Sequence, residues 1–131
     1  MRKDIHIPDV KNIEMAVVLE HNKTHNVNEW IVYLINRKEV PLNMVIIVSQ
    51  GFSETKTTSV FRKKIDLLPE NSSAKIELIQ PKLFALDNRF QVSFFENNIL
   101  YDKTFLFKKN TIREDDLKNI KDLNKPGIIC K

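Results

Sequence analysis

The sequence is poor in glycine and cysteine, and each shortage excludes a class of site. It contains two glycines, Gly51 and Gly127, which lie far apart. Phosphate-binding loops and dinucleotide fingerprints need at least two glycines close together, so nucleotide binding through those motifs is excluded. The single cysteine, Cys130, excludes an intrachain disulfide and favours a reducing compartment. We therefore expect a cytoplasmic protein whose fold needs no covalent cross-link.

Long apolar runs are also missing. The first nine residues, MRKDIHIPD, are interrupted by charges and by Pro8, and they contain no apolar region of a signal peptide. No later run approaches the roughly 20 apolar residues that a membrane-spanning helix needs. The sequence thus predicts a protein that is neither secreted nor membrane-spanning.

Neither sign of charge dominates the chain. Its 21 lysines and arginines exceed its 17 aspartates and glutamates by four. This mildly basic balance bears on solubility and on weak attraction to polyanions, and it does not bear on the fold. At 131 residues the chain is long enough for one domain with its own hydrophobic core, without a metal or a disulfide to stabilise it.

The clearest structural signal is a pair of alternating apolar segments within residues 90–107, joined by Asn97-Asn98. Asparagine tolerates a positive φ angle better than other residues with a side chain, so this pair suits a type I′ hairpin turn. In the first arm, three apolar residues alternate on one face: Phe90, Val92 and Phe94. The segment therefore predicts a β-hairpin with an aromatic core face.

Lys103 interrupts the pattern of the second arm. If the turn has two residues, Lys103 lies on the same face as Val92 and Phe94. A bulge, or a lysine whose ammonium group reaches out at the margin of the sheet, explains this position, and a basic group lining a pocket is the functional alternative. We favour the first explanation because buried unpaired lysines are rare.

Three segments in the first half of the chain carry strand patterns or strand composition. In residues 13–20, one face is entirely apolar and the other mixes two glutamates with Ala16 and Val18, as in a half-buried strand. Residues 30–35 are apolar on both faces, as in a central strand covered on both sides. Residues 44–48 are rich in valine and isoleucine. We expect them to form a third strand, antiparallel to the second.

A further strand is predicted at residues 74–78. Ala74, Ile76 and Leu78 alternate with Lys75 and Glu77, so the pattern places the two charged side chains together on the polar face. A short helical turn is expected shortly afterwards, at residues 83–86.

Residues 55–64 predict an exposed edge strand. The basic residues Arg62, Lys63 and Lys64 would limit its pairing with other chains. With Phe61 they also place basic groups beside an aromatic ring, as nucleic-acid-binding surfaces do, and residues 105–109 repeat this juxtaposition. Because the aromatic residues fall at core positions, a solvated basic rim is the favoured interpretation.

The C-terminal part predicts a short helix followed by an apolar tail. The segment Thr111-Ile112-Arg113-Glu114 matches a capping box, acidic residues follow in the first turn and lysines come later, so a helix is expected to about Leu123. Residues 128–131, Ile-Ile-Cys-Lys, have no obvious strand partner. This tail is expected to fold back, to fray or to dock on another molecule.

No motif predicts catalysis or metal binding. His21 and His25 have the spacing of a helical metal-ligand pair, but they lie in an asparagine-rich loop, and His6 is the third and last histidine. No nucleophile-elbow sequence surrounds any serine. We therefore expect no enzyme, with no catalytic, cofactor-binding or metal-binding residue.

Short strands separated by turns, with helix at one end, indicate an antiparallel β-sandwich of about seven strands. We expect an N-terminal arm at residues 1–12, the sandwich at residues 13–109, and the helix and tail at residues 110–131.

Three segments carry a family resemblance: VYLINR at residues 32–37, PLNMVII at residues 41–47 and LPENSSAKI at residues 68–76. They resemble immunoglobulin-like bacterial modules, in which an Asn-ending strand, a following strand and a Leu-Pro-x-x-Ser entry into another strand recur. The resemblance implies an immunoglobulin-like sandwich over residues 13–109. The cysteine pair and tyrosine corner of antibody domains are missing.

Four other stretches carry a second resemblance: DIHIP, VYLIN, AKIELIQ and KNTIRED, at residues 4–8, 32–36, 74–80 and 109–115. Through them the whole chain is similar to small cytoplasmic proteins of Bacteroidetes-type bacteria that are often labelled phenylalanyl-tRNA synthetase alpha subunit. No catalytic residue carries over. A class II synthetase domain needs a glycine-rich strand-helix motif, which two distant glycines do not supply.

Two hypotheses for the function follow. The first is a non-enzymatic protein-interaction module whose edge strand, residues 55–64, or tail, residues 128–131, binds a protein by strand addition or apolar docking. The alternative is an RNA- or translation-associated protein that binds through its basic residues. The candidate partner-binding residues are Phe61, Arg62, Lys63, Lys64, Lys103, Ile128 and Ile129. The docking role of the tail fails if the tail packs into the domain.

Overall fold

The structure, a computed structural model, describes residues 10–130. Within them, short apolar segments form strands, and two short 3-10 helices lie at Pro81–Ala85 and Glu114–Asp116. The strands are β1 (Ile13–Asn22), β2 (Val27–Asn36), β3 (Leu42–Phe52), β4 (Phe61–Leu68), β5 (Ser72–Leu78), β6 (Asp87–Glu96), β7 (Ile99–Phe107), β8 (Lys118–Ile120) and β9 (Lys125–Cys130).

The strands form two antiparallel sheets that pack on each other. The five-stranded sheet has the order β5-β2-β1-β9-β8, and the four-stranded sheet has the order β4-β3-β6-β7. Apolar side chains of both sheets, among them Met15, Leu34, Val45 and Phe94, form the core between them. The predicted all-β, antiparallel fold is confirmed, in a sandwich-like arrangement.

Residues 30–35 of β2 are buried on both faces of the sheet, as their continuous apolar sequence predicts. Val32 and Leu34 face the core between the sheets, whereas Ile31 and Ile35 belong to a second cluster on the outer face of the five-stranded sheet. Ile120 of β8 is buried in this second cluster, and Leu123 packs against it. The outer face of the five-stranded sheet is therefore covered by the chain around β8.

The hairpin of β6 and β7 has the predicted two-residue turn. Asn97 and Asn98 have φ angles of 52° and 65°, and Glu96 pairs directly with Ile99. More generally, asparagine supplies seven of the eight non-glycine residues with positive φ in the described part of the chain, and neither glycine has a positive φ. Asparagine therefore takes the place that glycine often has in such turns.

The prediction that the third strand pairs with the second is wrong. β3 pairs with β4 and β6, and the connection from β2 crosses to the other sheet. Both strands are nearly continuously apolar, so their patterns do not tell which sheet they join. At the crossing, the side-chain nitrogen of Asn36 donates to the carbonyl oxygens of Val40 at 3.1 Å and Pro69 at 2.9 Å.

The predicted C-terminal helix is not formed. Only Glu114–Asp116 adopts a 3-10 turn, and β8 and β9 follow it. The local capping pattern is overridden by long-range strand pairing, in which Val18 of β1 lies opposite Gly127 of β9. Residues 118–130, predicted to lie outside the sandwich, are therefore part of its five-stranded sheet.

Two other predicted elements are formed, with boundaries that differ from the predicted ones. The predicted edge strand at residues 55–64 corresponds to β4, which lies at the edge of the four-stranded sheet but spans Phe61–Leu68. The short helical turn is the 3-10 helix at Pro81–Ala85. Most of the predicted N-terminal arm, residues 1–9, lies outside the described residues.

Gly127 allows β9 to approach β1 closely, and this gives the first prediction. A Cβ atom on Gly127 would lie 2.7 Å from the carbonyl oxygen of Val17 and 2.8 Å from Cγ1 of Val18. We expect Gly127→Ala to lower the free energy of unfolding by about 1–3 kcal/mol, because the two strands must separate. Urea denaturation followed by circular dichroism measures this change.

Gly51→Ala is the matched control. The nearest neighbours of a Cβ atom on Gly51 are side-chain atoms, at 3.0–3.3 Å, which adjust more easily than backbone. We expect a smaller loss of stability in this variant. A loss at Gly127 no greater than the loss at Gly51 would contradict the role given to the β1–β9 contact.

Candidate functional site

The outer face of the four-stranded sheet is open and carries large apolar side chains. Their exposed fractions are 50% for Met44, 38% for Ile46, 50% for Leu67, 36% for Phe95 and 56% for Leu100. We call these five residues the apolar face. The two sheets differ in this respect, because Ile120 and Leu123 cover apolar residues on the outer face of the five-stranded sheet.

Strand register explains how the apolar face is assembled. Asn43 of β3 lies opposite Leu67 of β4 on one side and Phe95 of β6 on the other, and Phe95 lies opposite Leu100 of β7. One row of paired residues thus crosses the whole sheet.

The next row of outward-facing residues runs from Lys64 through Ile46 and Ser93 to Asp102. Charges of both signs therefore border the apolar residues.

Met44 joins the apolar face through an irregularity in β3. The register between β3 and β6 shifts between Asn43 and Ile46, and Met44 has a φ angle of 49°. This left-handed conformation is unfavourable for methionine, and β-bulges often redirect a side chain. Here the bulge leaves Met44 half exposed.

The structure separates the basic residues that the sequence groups together on β4. Lys63 lies opposite the buried Ile47, so it shares the inward face, whereas Arg62 and Lys64 lie opposite Val48 and Ile46 and point outward. Phe61, at the start of the strand, is 37% exposed. The predicted basic rim is therefore divided between two faces of one edge strand.

Lys103 lies on the inward face of β7, opposite Val92, at the other edge of the same sheet. Its side chain is partly exposed, and its Nζ lies 4.9 Å from the centre of the Phe105 ring. This arrangement is that of a lysine whose ammonium group reaches the sheet margin.

Ile128 and Ile129 do not form a free tail. They lie in β9 opposite Val17 and Ala16, and they pack against the inner and outer apolar clusters respectively. The expectation that this segment folds back on the domain is confirmed, and its strand partner, which the sequence does not make obvious, is β1. The condition for a docking role of the tail is therefore not met.

Glu20 lies at the centre of a polar network on the outer face of the five-stranded sheet. It accepts a hydrogen bond from the hydroxyl of Tyr33, and its carboxylate lies 3.5 Å from Nζ of Lys125 and 3.7 Å from Nζ of Lys75. Burial raises the pKa of Glu20, but these three partners lower it more, so the net pKa lies below its ordinary value. The network links β1, β2, β5 and β9, which indicates a structural role.

A cavity of about 190 Å³ lies between the sheets and contains an inward-facing carboxylate. The register of β5 against β2 shifts between Val32 and Tyr33, and Glu77 consequently lies opposite the buried Val32. Glu77 accepts a hydrogen bond of 2.7 Å from the hydroxyl of Ser49. Burial raises the pKa of Glu77, and the bond from Ser49 opposes that rise only in part.

The sequence pattern does not reveal Glu77 as a cavity residue. Strict alternation along residues 74–78 places Glu77 on the polar face, and the register shift reverses this at the end of the strand. The exposed position of Leu78 reflects the same reversal. A single sequence carries no marker of such a shift.

The described residues contain no metal-binding cluster. Residues 10–130 include no group of three or more His, Cys, Asp or Glu side chains that could hold a metal ion. In the β1–β2 hairpin, Nδ1 of His21 lies 3.0 Å from Oδ1 of Asn28. Over the same range, no helix is long and apolar enough to cross a membrane.

Comparison of the chain with protein families, with curated proteins and with solved structures finds no match. Functional inference therefore depends on the surface and the cavity described above.

The raised pKa of Glu77 gives the second prediction. The stability that protonated Glu77 contributes is fully present below its ordinary pKa of 4.5, and it is lost as the pH rises through the raised folded pKa. We expect Glu77→Gln to raise the free energy of unfolding at pH 7, because it removes a partly buried charge, and to leave it unchanged near pH 4. Urea denaturation at the two pH values measures the difference.

Glu70→Gln serves as the matched control, since Glu70 is exposed in the turn between β4 and β5. We expect this variant to follow the native protein at both pH values. If Glu77→Gln is less stable than the native protein at pH 7, the ionised carboxylate stabilises the fold and the prediction is contradicted.

Proposed function

We propose that this protein is a non-enzymatic protein-interaction module that binds its partner through the apolar face. The observation that carries the proposal is the set of five large apolar side chains, each at least 36% exposed, on one open sheet face. Adjacent exposed apolar groups often mark protein–protein contact sites. The charged residues that border them, Lys64 and Asp102, correspond to the polar rim of such sites.

We also infer that the fold is an immunoglobulin-like sandwich. The order β1-β2-β5 in one sheet corresponds to strands A, B and E of that fold, and β4-β3-β6-β7 in the other corresponds to C′, C, F and G. β9 and β8 extend the first sheet beyond β1. Because many unrelated functions share this architecture, the surface rather than the fold carries the functional proposal.

The two edges of the four-stranded sheet are less suited to a partner than its face. Lys63 on β4 and Lys103 on β7 point inward at these edges. Inward-pointing charges on edge strands oppose the addition of another strand, because a new strand would cover the charge. We therefore place the partner across the face of the sheet and not along its edge.

Leu100→Glu gives the third prediction. A carboxylate at this position would have to be buried in the complex, so we expect the dissociation constant for the partner to rise by at least about tenfold. The partner is identified by affinity capture from the native cytoplasm and purified, and calorimetry then measures binding. Sedimentation equilibrium of the protein alone shows whether a second copy is the partner.

Leu78→Glu is the matched control. Leu78 is 57% exposed, close to the 56% of Leu100, but it lies on β5 in the other sheet. We expect Leu78→Glu to bind the partner as the native protein does. Equal weakening by both substitutions would argue against a specific site on the apolar face.

The alternative function is an RNA- or translation-associated binding protein. One observation favours it: Arg62 and Lys64 point outward from the same sheet that exposes the aromatic ring of Phe95. Such basic and aromatic surfaces bind single-stranded nucleic acids. The acidic residue Asp102 on this face would oppose phosphate binding.

Salt dependence separates the two functions and gives the fourth prediction. For RNA binding through these residues, the logarithm of the affinity falls linearly with the logarithm of the salt concentration, by about 0.7 per phosphate contact. The double variant Arg62→Ala/Lys64→Ala would then reduce this slope by about 1.4. For the protein-interaction module we expect no measurable binding to single-stranded RNA at physiological salt, as followed by fluorescence anisotropy.

A further inference from the structure

The cavity between the sheets is lined by both polar and apolar side chains. Ser49 of β3, Glu77 of β5 and Asn88 of β6 provide side-chain oxygens in this lining. Ile79, Leu83, Phe61 and Phe90 are the apolar residues that line the cavity. Its volume of about 190 Å³ is several times the ~30 Å³ share of one water molecule and smaller than the ~300 Å³ of a pocket for a drug-sized ligand.

Four of the side-chain hydrogen-bond donors that line the cavity are already used within the protein. The hydroxyl of Ser49 donates to Glu77, and that of Thr58 donates to a backbone carbonyl at 3.1 Å. The amide nitrogen of Asn88 donates to two backbone carbonyls, at 2.9 and 3.1 Å, and that of Gln50 donates to another at 3.0 Å. These side chains therefore offer a ligand mainly acceptor oxygens, on Glu77 and Asn88.

The charge of Glu77 has no partner in the described part of the chain. Within residues 10–130, no lysine or arginine forms an ion pair with it, and its one hydrogen-bonding side chain is Ser49. Arg89 also lines the cavity, but its guanidinium group lies 5.3 Å from the ring centre of Phe52. A carboxylate between two sheets is unfavourable without a positive partner.

We propose that this cavity binds a primary alkylammonium group, with Glu77 as its counterion and with Ile79, Leu83 and Phe90 in contact with the alkyl chain. An ammonium group has three donors and no acceptor, which complements a site rich in acceptors. Its source is either a free amine or the lysine side chain of another protein. The inference goes beyond the proposed function, because the cavity is separate from the apolar face.

Titration of the full chain with n-butylammonium chloride tests this proposal. Backbone amide signals are followed by ¹H–¹⁵N correlation spectra, and n-butanol is the neutral control with the same number of carbon atoms. We expect saturable shifts at Gly51, Thr58 and Asn88 with the ammonium compound and none with the alcohol. Absence of saturable shifts would overturn the proposal and leave the cavity as a water site.

Two further probes distinguish the sources of the group. A capped tripeptide with a central lysine is compared with its acetyl-lysine counterpart and with a free diamine, cadaverine. Tighter binding of the lysine peptide supports a protein lysine, whereas tighter binding of cadaverine supports a small amine. Equal binding of the acetylated peptide would overturn the role of the ammonium charge.

Matched variants then locate the site. Glu77→Gln keeps the size of the side chain and removes its charge, and we expect it to weaken n-butylammonium binding at least tenfold. Glu70→Gln and Leu100→Glu should bind n-butylammonium as the native protein does. Loss of partner binding in Leu100→Glu alone and loss of amine binding in Glu77→Gln alone keep the two proposals separately testable.

Undiminished n-butylammonium binding by Glu77→Gln would overturn the assignment of the counterion. The same substitution is expected to preserve the fold, since it replaces a partly buried charge by a neutral group that can also accept the bond from Ser49. Ser49→Ala provides a second variant, in which the carboxylate loses its hydrogen-bond donor. We expect a weaker but measurable response to n-butylammonium, at the same three amide signals.

Discussion

The pairing of β9 with β1 is the contact on which the arrangement of the outer surfaces depends. It brings β8 alongside the five-stranded sheet and places Ile120 over Ala16, Val18 and Ile35. The salt bridge of 2.7 Å between Arg37 and Asp122 holds the following turn close to β2. One sheet is thereby covered by its own chain, while the other keeps an open apolar face.

Features set by neighbouring residues could be predicted from the sequence. The Asn97-Asn98 turn fixes the register of the β6–β7 hairpin, and that register places Phe90 and Phe94 in the core and Lys103 at the margin. Turn geometry and a period of two are local properties, so a single sequence contains them. The all-β fold follows from the same kind of signal.

Features set by distant pairing could not be predicted in this way. The segment around Thr111 has the local pattern of a helix start, yet the pairing of β9 with a strand more than a hundred positions earlier, as at Val17 and Ile128, determines the C-terminal structure. Glu77 and Met44 occupy their positions through register shifts, which alternation does not record. The positions of Glu77 and Met44 therefore depart from the alternation of apolar and polar residues, whereas the core residues of the hairpin follow it.

The use of asparagine at positive φ has a consequence for the unfolded chain. Glycine visits far more backbone conformations than asparagine when the protein is unfolded, so ordering a glycine turn loses more conformational entropy. With seven asparagines at such positions, this chain begins folding from a more restricted ensemble. Part of its stability thus arises from the lower conformational entropy of the unfolded chain, and this part does not correspond to any contact in the folded structure.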